Sequence, residues 1–453
     1  MNVSIVGAGY VGITTGVALA YLGHTVTLLD ADQSRIDLLR QGRFPIYEPF
    51  LEEIAALAQS RLRYTTDPAE AHPGADVVFI AVGTPPLPDG NPDLSYLRAA
   101  ATAVGEHLGD GFTVVVNKST VPIGCGSWVE SLVREAFEAR HGRLAKGRFS
   151  VASNPEFLRE GSALHDSLYA DRVVIGSDDP RALESLYALY KPVVEQTFTP
   201  PSFLPRPEAL GAVPLLTTNL ASAELIKYAA NSFLALKISF INEIAQLAEK
   251  VGADTAQVGK GIGLDARIGT RFLQTGIGWG GSCFGKDTSA LIATAREYGL
   301  TMPIVQAARE VNYRQRDRVI EKLLGVLKIL KGRTVGLLGL AFKPNTDDLR
   351  DAPALDIARK LLERGAKVRA HDPIALARAR LECDPSITLT DSIEVLAAEA
   401  DALVLVTEWP QYRDLPWTKL AAAMRTPLLL DGRNFLEQSA LQAAGFHYLG
   451  MGR

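Results

Sequence analysis

The fold is decided by the stretch Val3-Ser4-Ile5-Val6-Gly7-Ala8-Gly9-Tyr10-Val11-Gly12 near the start of the chain. The apolar residues before the first glycine predict a short buried strand, and the run from Ile13 to Leu22 predicts a helix that ends at Gly23. A second buried strand is expected from His24 to Leu29, followed directly by Asp30. A strand, a glycine turn, a helix and a second strand in this order predict a dinucleotide-binding unit.

The spacing of the three glycines is what a dinucleotide requires. Gly7 permits a tight turn, Gly9 lets the backbone approach a pyrophosphate, and Gly12 allows the helix to pack closely. The turn is completed by Tyr10 and Val11, at a helix N-terminus that attracts phosphate.

Two side chains after the second strand bear on the choice of dinucleotide. Asp30 is placed to accept hydrogen bonds from the ribose hydroxyls and to repel a 2′-phosphate, which favours NAD over NADP. Arg35 is the one nearby cation that would argue for NADP, and its alternative interpretation is a solvated helix residue.

Further apolar runs predict more strands of the same sheet. They cover residues 77–82, 114–117, 149–152 and 173–175. Their alternation with helices predicts a doubly wound parallel sheet. The proline-rich segment 199–217 is expected to be a surface loop or linker.

The second half of the chain begins with helical patterns and then repeats the strand and glycine turn with which the chain opens. A long helical pattern begins at Ser222, and helical stretches follow at 287–297 and 302–330. A strand and glycine turn then restart at Thr334, with a second strand ending at Asp372. We therefore predict an α/β protein in which two Rossmann-like, doubly wound parallel-sheet domains, 1–215 and 331–453, are joined by a helical central domain, 216–330, with a long spine helix.

Composition excludes several classes of partner. With 453 residues, 47% of them hydrophobic, and a formal net charge of -4, the chain has no basic field for nucleic acid. No apolar run reaches membrane-spanning length, and we expect no signal sequence because the predicted first strand begins almost at Met1. Cys125, Cys283 and Cys383 lie far apart, which fits a reducing compartment and a cytoplasmic location, and no paired cysteines indicate a metal site.

The stretch Gly280-Gly281-Ser282-Cys283-Phe284-Gly285-Lys286-Asp287 places one of these thiols in a glycine-rich turn. If Ser282 or Cys283 begins the following helix, the positive helix end would favour the thiolate. Asp287 then falls one helical turn away on the same face. The residues alone leave two interpretations open: a nucleophile that attacks a carbonyl, or a small buried hydrophobic residue.

Two other pairs repeat this four-residue spacing. Lys227 and Asn231 lie on the first long helical pattern, where Lys227 either extends its ammonium to solvent or faces developing charge in a reaction. For Glu156 and Glu160, the residues by themselves favour an exposed helical face with Arg159 as the ionic partner.

The second glycine turn lacks the spacing for a dinucleotide. Gly336 and Gly339 are followed by Phe342 and Lys343, so this turn suits the nucleotide portion of a substrate or serves only in packing. The candidate cations there are Lys343, Arg350 and Arg433.

The chain resembles the UDP-glucose 6-dehydrogenases, within the wider group that oxidises nucleotide sugars. The resemblance spans nearly the whole chain. It rests on the glycine turn, Tyr47-Glu48-Pro49, Val82-Gly83-Thr84-Pro85, Lys118-Ser119-Thr120-Val121-Pro122, the NPEFLREG stretch 154–161, the KYAAN stretch 227–231, the cysteine turn and residues 339–350. A departure is Gly285, where many relatives have proline.

The resemblance implies oxidation of the C6 alcohol of UDP-glucose to a carboxylate in two hydride transfers to NAD. Cys283 would be the nucleophile, forming a thiohemiacetal and then a thioester. Lys227 and Asn231 would stabilise oxyanions, and Asp287 would act in proton transfer with an ordered water. Glu160 with Thr120 would position or activate the hydrolytic water. Whether Lys227 or water held by Asp287 removes the first proton stays open.

The resemblance also implies the binding residues. Cofactor contacts are expected from the glycine turn, Asp30, Arg35, Thr84, Thr120, Glu160 and Arg350. The substrate would be bound by Glu156, Phe157, Leu158, Arg159, Glu160, Lys227, Asn231, Phe272, Leu273, Gln274, Thr275, Gly276, Gly280, Phe342, Lys343 and Arg433. Arg267 would reach the sugar of a partner subunit, since the central domain would form a homodimer and the last domain would bind the UDP-sugar.

Three alternatives compete with this prediction. A two-electron hydroxy-acid dehydrogenase also pairs a lysine and an asparagine, but it needs neither the cysteine nor the second Rossmann-like domain. A dehydrogenase of GDP-mannose or of a UDP-N-acetyl amino sugar would keep the same mechanism with a different pocket. A non-catalytic NAD-binding scaffold is disfavoured because every polar position that the reaction needs is present.

Overall fold

The computed structural model describes residues 1–453 and divides them into two compact units. The first unit contains residues 1–229 and 289–298, and the second contains residues 230–288 and 299–453. Each unit holds one largely parallel sheet, and long helices occupy the middle of the chain, as the sequence predicts. None of the helices combines the length and the apolar character needed to cross a membrane.

The first unit alternates strands and helices from its first residues. Its elements are β1 (Asn2–Val6), α1 (Tyr10–Tyr21), β2 (Thr25–Leu29), α2 (Gln33–Arg40), α3 (Leu51–Ala58), β3 (Leu62–Thr65), α4 (Pro68–Ala71), β4 (Val77–Ile80), α5 (Ser95–His107), β5 (Thr113–Asn117), α6 (Cys125–His141), β6 (Phe149–Ser153), α7 (Ala163–Leu168), β7 (Val173–Gly176), α8 (Pro180–Val194) and β8 (Leu215–Thr218). The strand order is β3-β2-β1-β4-β5-β6-β7-β8, so the direction of winding reverses between β1 and β4. Such a reversal leaves a crevice at the carboxyl ends of the strands, where α/β proteins bind ligands.

Both faces of this sheet are covered by apolar packing. Val3 and Ile5 of β1 join one buried cluster, whereas Val6 at the end of the same strand joins another. The alternation is the one expected for a strand buried on both sides. All neighbouring strands are parallel except β6 and β7, which pair antiparallel through Ser153 and Gly176.

The middle and the end of the chain follow with long helices and a second sheet. Their elements are α9 (Leu220–Val251), α10 (Thr255–Gly263), α11 (Phe284–Glu297), α12 (Pro303–Leu327), β9 (Thr334–Leu338), α13 (Pro353–Glu363), β10 (Lys367–His371), α14 (Leu376–Glu382), β11 (Ile387–Leu389), α15 (Ile393–Ala397), β12 (Ala402–Leu405), α16 (Trp417–Ala423), β13 (Leu428–Asp431), α17 (Gln438–Ala443) and β14 (His447–Gly450). The second sheet has the order β11-β10-β9-β12-β13-β14, with every pair parallel. It repeats the reversal of the first sheet, now between β9 and β12.

The proline-rich segment differs in part from the expected surface loop. Leu204 and Val213 are buried in apolar clusters of the first unit, and the segment leads into β8. Residues 199–214 form no helix or strand and are mostly exposed, as predicted for a surface loop, but these two apolar side chains anchor the loop to the domain. The strands β3 and β8 are not predicted, because each is only four residues long and partly exposed and so lacks the apolar run of a buried strand.

Candidate active site

The glycine turn between β1 and α1 has the shape of a dinucleotide cradle. Gly7 has a φ of +104°, and a Cβ on Gly12 would lie 1.8 Å from the Gly7 carbonyl oxygen. A Cβ on Gly9 would meet no atom within 4 Å, so this side of the turn is open for a ligand. Because α1 starts at Tyr10, the open side faces the first turn of a helix, where phosphate is favoured. These residues fit NAD.

Asp30 and Arg35 form an ion pair beside this turn. The Asp30 carboxylate accepts the Ala8 N–H at 2.7 Å and lies 3.2 Å from a guanidinium nitrogen of Arg35. Arg35 is therefore not simply a solvated helix residue.

Two of the predicted cofactor contacts meet in the loops after β4 and β5. The buried Thr84 hydroxyl donates to the Thr120 carbonyl oxygen at 3.0 Å. This bond brings together two loops that lie far apart in the sequence, at the same edge of the first sheet.

Lys227 and Glu156 form a buried ion pair in the first unit. The Lys227 ammonium donates to the Glu156 carbonyl oxygen at 2.6 Å and to its carboxylate at 2.8 Å. Burial opposes ionisation of Glu156, but the Lys227 charge and hydrogen bond, together with the Leu158 N–H, outweigh it and lower the pKa of this carboxyl. The exposed helical face expected for Glu156 is wrong: residues 154–159 form no helix, and Glu156 is buried.

The remaining residues of the stretch 154–161 flank this pair. The Phe157 ring centroid lies 3.7 Å from the Arg172 guanidinium carbon and 5.5 Å from the Lys227 ammonium nitrogen. Arg159 pairs with Asp166 at 2.5 Å rather than with a neighbouring glutamate. Glu160 is partly exposed.

A second buried lysine, which the sequence did not single out for a role, lies behind the pair. Lys118 donates to Asn154 at 2.8 Å, and burial lowers its pKa to about 8, opposed by Glu156 and assisted by Lys227. Asn154 also accepts the Tyr190 hydroxyl at 2.6 Å. The signal in the sequence was a lysine directly after a strand of buried valines.

Cys283 directly precedes α11 in the second unit. The Asp287 N–H donates to the Cys283 carbonyl oxygen at 2.8 Å, which places the carboxylate one turn into the helix. Asp287 is 1% exposed, and its carboxylate accepts from Asn231 at 2.6 Å and from Lys286 at 2.7 Å. The thiol, only partly buried, is thus followed on α11 by a carboxylate whose position is fixed from two sides.

The cysteine turn packs against the segment that follows the second glycine turn. The Gly281 N–H donates to the Arg350 carbonyl oxygen at 3.1 Å, and a Cβ on Gly281 would lie 2.7 Å from the Phe342 ring. A Cβ on Gly280 would lie 2.4 Å from the Asp351 carbonyl oxygen. Glycine is required at both positions because of these approaches.

This segment carries two of the predicted cations, Arg350, which is exposed, and Lys343, which is partly buried. The Arg350 guanidinium pairs with Asp348 at 2.7 Å, and the Lys343 ammonium lies 5.4 Å from the Phe342 ring centroid.

Gly285 also has a neighbour that explains its size. A Cβ there would lie 3.2 Å from a carboxylate oxygen of Asp351, which pairs with the buried Arg316 at 2.9 Å. The ion pair occupies the space into which a larger residue would extend.

Arg433 fixes the backbone of the turn. Its guanidinium donates to the carbonyl oxygens of Val406 at 2.8 Å and Gly278 at 2.9 Å. Of the predicted wall 272–276, Leu273, Thr275 and Gly276 are buried, Phe272 has a φ of +65°, and Gln274 is exposed. Arg267 is exposed and pairs with Asp265 at 2.5 Å.

Asp372 gives a physical reason why the second glycine turn is a poor dinucleotide site. It follows β10 as Asp30 follows β2, but it is fully buried. Its carboxylate accepts four backbone N–H groups at 2.8 to 3.0 Å, from Leu340, Ala341, Ile374 and Ala375. It therefore has no capacity left for a ribose.

Three family models match the chain in succession. All belong to the UDP-glucose/GDP-mannose dehydrogenase family: the NAD binding domain matches residues 1–194, the central domain 221–314 and the UDP binding domain 336–438.

Individual relatives extend over the full chain. A UDP-glucose 6-dehydrogenase of Pseudomonas aeruginosa is 45% identical, over 100% of this chain and 98% of the relative. The structure of a UDP-glucose dehydrogenase from Pyrobaculum islandicum matches with a TM-score of 0.88 and 42% identity, covering 100% of this chain and 97% of the other. A UDP-D-ManNAc dehydrogenase from Pyrococcus horikoshii matches with a TM-score of 0.83 and 27% identity, covering 100% and 99%. The chain belongs to the UDP-glucose/GDP-mannose dehydrogenase family.

Proposed function

We propose that this protein oxidises UDP-glucose to UDP-glucuronate with two molecules of NAD. The observation that carries the proposal is Cys283 at the start of α11, with Asp287 buried one turn later between Asn231 and Lys286. An alcohol dehydrogenase that stops at the aldehyde needs no thiol, whereas a thiol can hold the aldehyde as a thiohemiacetal for a second oxidation. The full-length relatives named UDP-glucose 6-dehydrogenases support the choice of sugar.

NAD accepts a hydride in each of the two oxidations and leaves as NADH. The first oxidation converts the C6 alcohol to an aldehyde and releases one proton. The Cys283 sulfur then bonds to the aldehyde carbon, giving a thiohemiacetal whose oxidation yields a thioester and a second proton. Water attacks the thioester carbon, the carbon–sulfur bond breaks, and the acid and the free thiol are released.

The polar residues divide these tasks. Lys227, which pairs with Glu156 at 2.8 Å, suits the stabilisation of oxyanions, and Asn231 supports it as a neutral donor. Asp287 handles protons through an ordered water. Glu160 and Thr120 position or activate the hydrolytic water.

The three domains divide the binding. We assign NAD to residues 1–215, through the glycine turn, Asp30, Thr84 and Thr120, with Glu160 and Arg350 as further contacts. The UDP-sugar is assigned to residues 331–453, through Phe342 and Lys343, with residues 156–160 and 272–276 as further substrate-binding segments. The central part, 216–330, is assigned to dimerisation.

An exposed apolar stripe on α9 supports a homodimer. Phe233, Phe240 and Leu247 follow one another at seven-residue spacing and are 62%, 46% and 61% exposed. Side chains at this spacing lie along one side of a helix, and a second copy of the same helix offers a matching surface. In such a dimer Arg267 would reach the partner's sugar. The free thiols at all three cysteines suit an enzyme of the reducing cytoplasm.

NADH yield per sugar tests the reaction. With limiting UDP-glucose and excess NAD, two NADH per sugar and UDP-glucuronate as the product are expected. One NADH per sugar, with accumulated aldehyde, would contradict the proposal. Cys283→Ser should nearly abolish acid formation, and near wild-type turnover in that variant would end the thioester mechanism.

A different nucleotide sugar is the second candidate, favoured by the similarity to the UDP-D-ManNAc dehydrogenase. The thiol chemistry would be unchanged and only the sugar pocket would differ. Comparing kcat/KM for UDP-glucose, GDP-mannose and UDP-N-acetylmannosamine with NAD separates the two, and a preference for either of the latter substrates would replace the proposed one.

A further inference from the structure

A buried carboxylate with no assigned role joins two helices and a loop of the first unit. Glu48 lies between α2 and α3 and is 6% exposed. Its Oε1 accepts the Ala163 N–H at 2.6 Å, and its Oε2 accepts the Gly161 N–H at 2.7 Å. The Tyr10 hydroxyl also donates to Oε2 and accepts the Gly161 N–H at 2.8 Å.

The partners of Glu48 come from two places that matter for the reaction. Tyr10 opens α1 directly after the glycine turn, Gly161 follows Glu160, and Ala163 opens α7. Apolar residues of α1 and α7, the two helices that bind the carboxylate, share one buried cluster with residues of α2 and α3. A buried carboxylate with three donors has little freedom to move, because each lost bond leaves a buried polar group unsatisfied.

We propose that Glu48 is a positioning residue for hydrolysis of the Cys283 thioester. Through Gly161 it fixes the backbone next to Glu160, and through Tyr10 it ties that backbone to the cofactor turn. The proposal rests on the proposed function, in which Glu160 acts on the hydrolytic water. In that step the water oxygen bonds to the thioester carbon, its proton passes to Glu160, and the Cys283 thiolate leaves.

Glu48→Gln tests the proposal because it keeps the shape and removes part of the accepting capacity. Full-length enzyme is mixed rapidly with UDP-glucose and NAD, and NADH is followed through the first turnover and the steady state. Misplacement of Glu160 should leave a burst of two NADH per site at close to the wild-type rate and slow the steady state by about 100-fold. The acyl group should then be found on Cys283 by mass spectrometry of the quenched enzyme.

Three further variants serve as the reference, the second test and the control. Glu160→Gln is the reference for blocked hydrolysis, and Tyr10→Phe, which removes only the hydroxyl, should give the same burst with a smaller loss of turnover. Glu52→Gln, an exposed glutamate of α3, should match the wild type.

Several outcomes would overturn the proposal. Steady-state turnover of Glu48→Gln within about twofold of wild type, or a first hydride transfer slowed as much as turnover, would each do so. If Glu160→Gln accumulates the adduct and Glu48→Gln does not, only the role of Glu48 fails. If Glu160→Gln shows neither burst nor adduct, the assumed hydrolytic step fails with it. Should Glu48→Gln not fold, Tyr10→Phe decides: a burst with slowed turnover supports the proposal, and wild-type turnover overturns it.

Discussion

Glu224 is a single buried side chain that makes stability depend on pH. It lies on α9, three residues before Lys227, and its carboxylate accepts the N–H groups of Gly124 at 2.7 Å and Gly126 at 2.8 Å, at the start of α6. Burial raises the pKa of this carboxyl from 4.5 to about 7, although the two hydrogen bonds lower it.

The raised pKa fixes the sign of the pH dependence. Because the folded state binds the Glu224 proton more tightly than the unfolded chain, ionisation destabilises the fold as the pH rises from 4.5 to about 7. Glu224→Gln stays neutral, so its free energy of unfolding relative to wild type should improve over this window by up to about 3 kcal/mol.

Denaturation curves of both proteins at about pH 5 and about pH 8 measure this difference. Glu243→Gln, an exposed glutamate of the same helix, is the control and should track the wild type at both pH values. A difference between Glu224→Gln and wild type that does not grow with pH would contradict the assignment.

The three thiols should react at different rates. Burial raises the pKa of Cys125 to about 12, with Glu224 and Glu297 adding to the shift, and burial also raises the pKa of Cys383. Cys283 precedes a helix and is partly exposed. In native protein near pH 8, iodoacetamide should modify Cys283 first and Cys125 last, with activity lost in step with Cys283.

Peptide mapping by mass spectrometry measures the order of modification. Protein unfolded in denaturant, in which all three thiols should react, is the control. If Cys125 is modified as fast as Cys283 in the native protein, the prediction that burial protects the Cys125 thiol is contradicted.

Among the elements, the turn between β1 and α1 separates a structural glycine from a binding glycine. A Cβ at Gly12 would lie 1.8 Å from the Gly7 carbonyl oxygen, whereas one at Gly9 would meet nothing within 4 Å. Gly12→Ala should therefore destabilise the domain, and Gly9→Ala should keep wild-type stability but lower NAD affinity by about tenfold or more.

Thermal unfolding and NAD titration of the two variants check this distinction. Equal NAD affinity for Gly9→Ala and wild type would mean that the open side of the turn does not face the cofactor.

The glycine turn and the long helices could be predicted from the sequence because the residues that indicate each of them lie close together in the chain. The glycine spacing, the buried strand before it and Asp30 after the next strand lie within one short stretch, and the lengths of α9 and α12 follow from helical periodicity. The pairing of Lys227 with Glu156 could not be predicted, because it joins residues 71 positions apart. The contact of Asn231 with Asp287 spans 56 positions, and only the folded chain brings the two together.

On the scale of the whole molecule, the apolar stripe of α9 is the surface that we propose for dimerisation. Phe240 lies in the middle of this stripe and is 46% exposed. Phe240→Glu places a charge in the proposed contact between two copies, so it should yield monomers where the wild type yields dimers.

Light scattering coupled to size-exclusion chromatography gives the masses. Leu381→Glu applies the same chemical change to a leucine of α14 that is 87% exposed, and it should leave the dimer intact. If both variants remain dimers, the contact between the two copies does not involve the apolar stripe of α9.

The ion pair of Asp30 with Arg35 bears on which dinucleotide of the cell the reaction reduces. The Arg35 guanidinium lies 3.2 Å from the Asp30 carboxylate, which we expect to repel a 2′-phosphate. Replacing Asp30 with a small neutral residue would free Arg35 to bind such a phosphate. The hydrides taken from the sugar would then reduce NADP, which serves biosynthesis, instead of NAD, which serves respiration. We therefore expect the residue at position 30, next to an existing cation, to determine whether the oxidation yields NADH or NADPH.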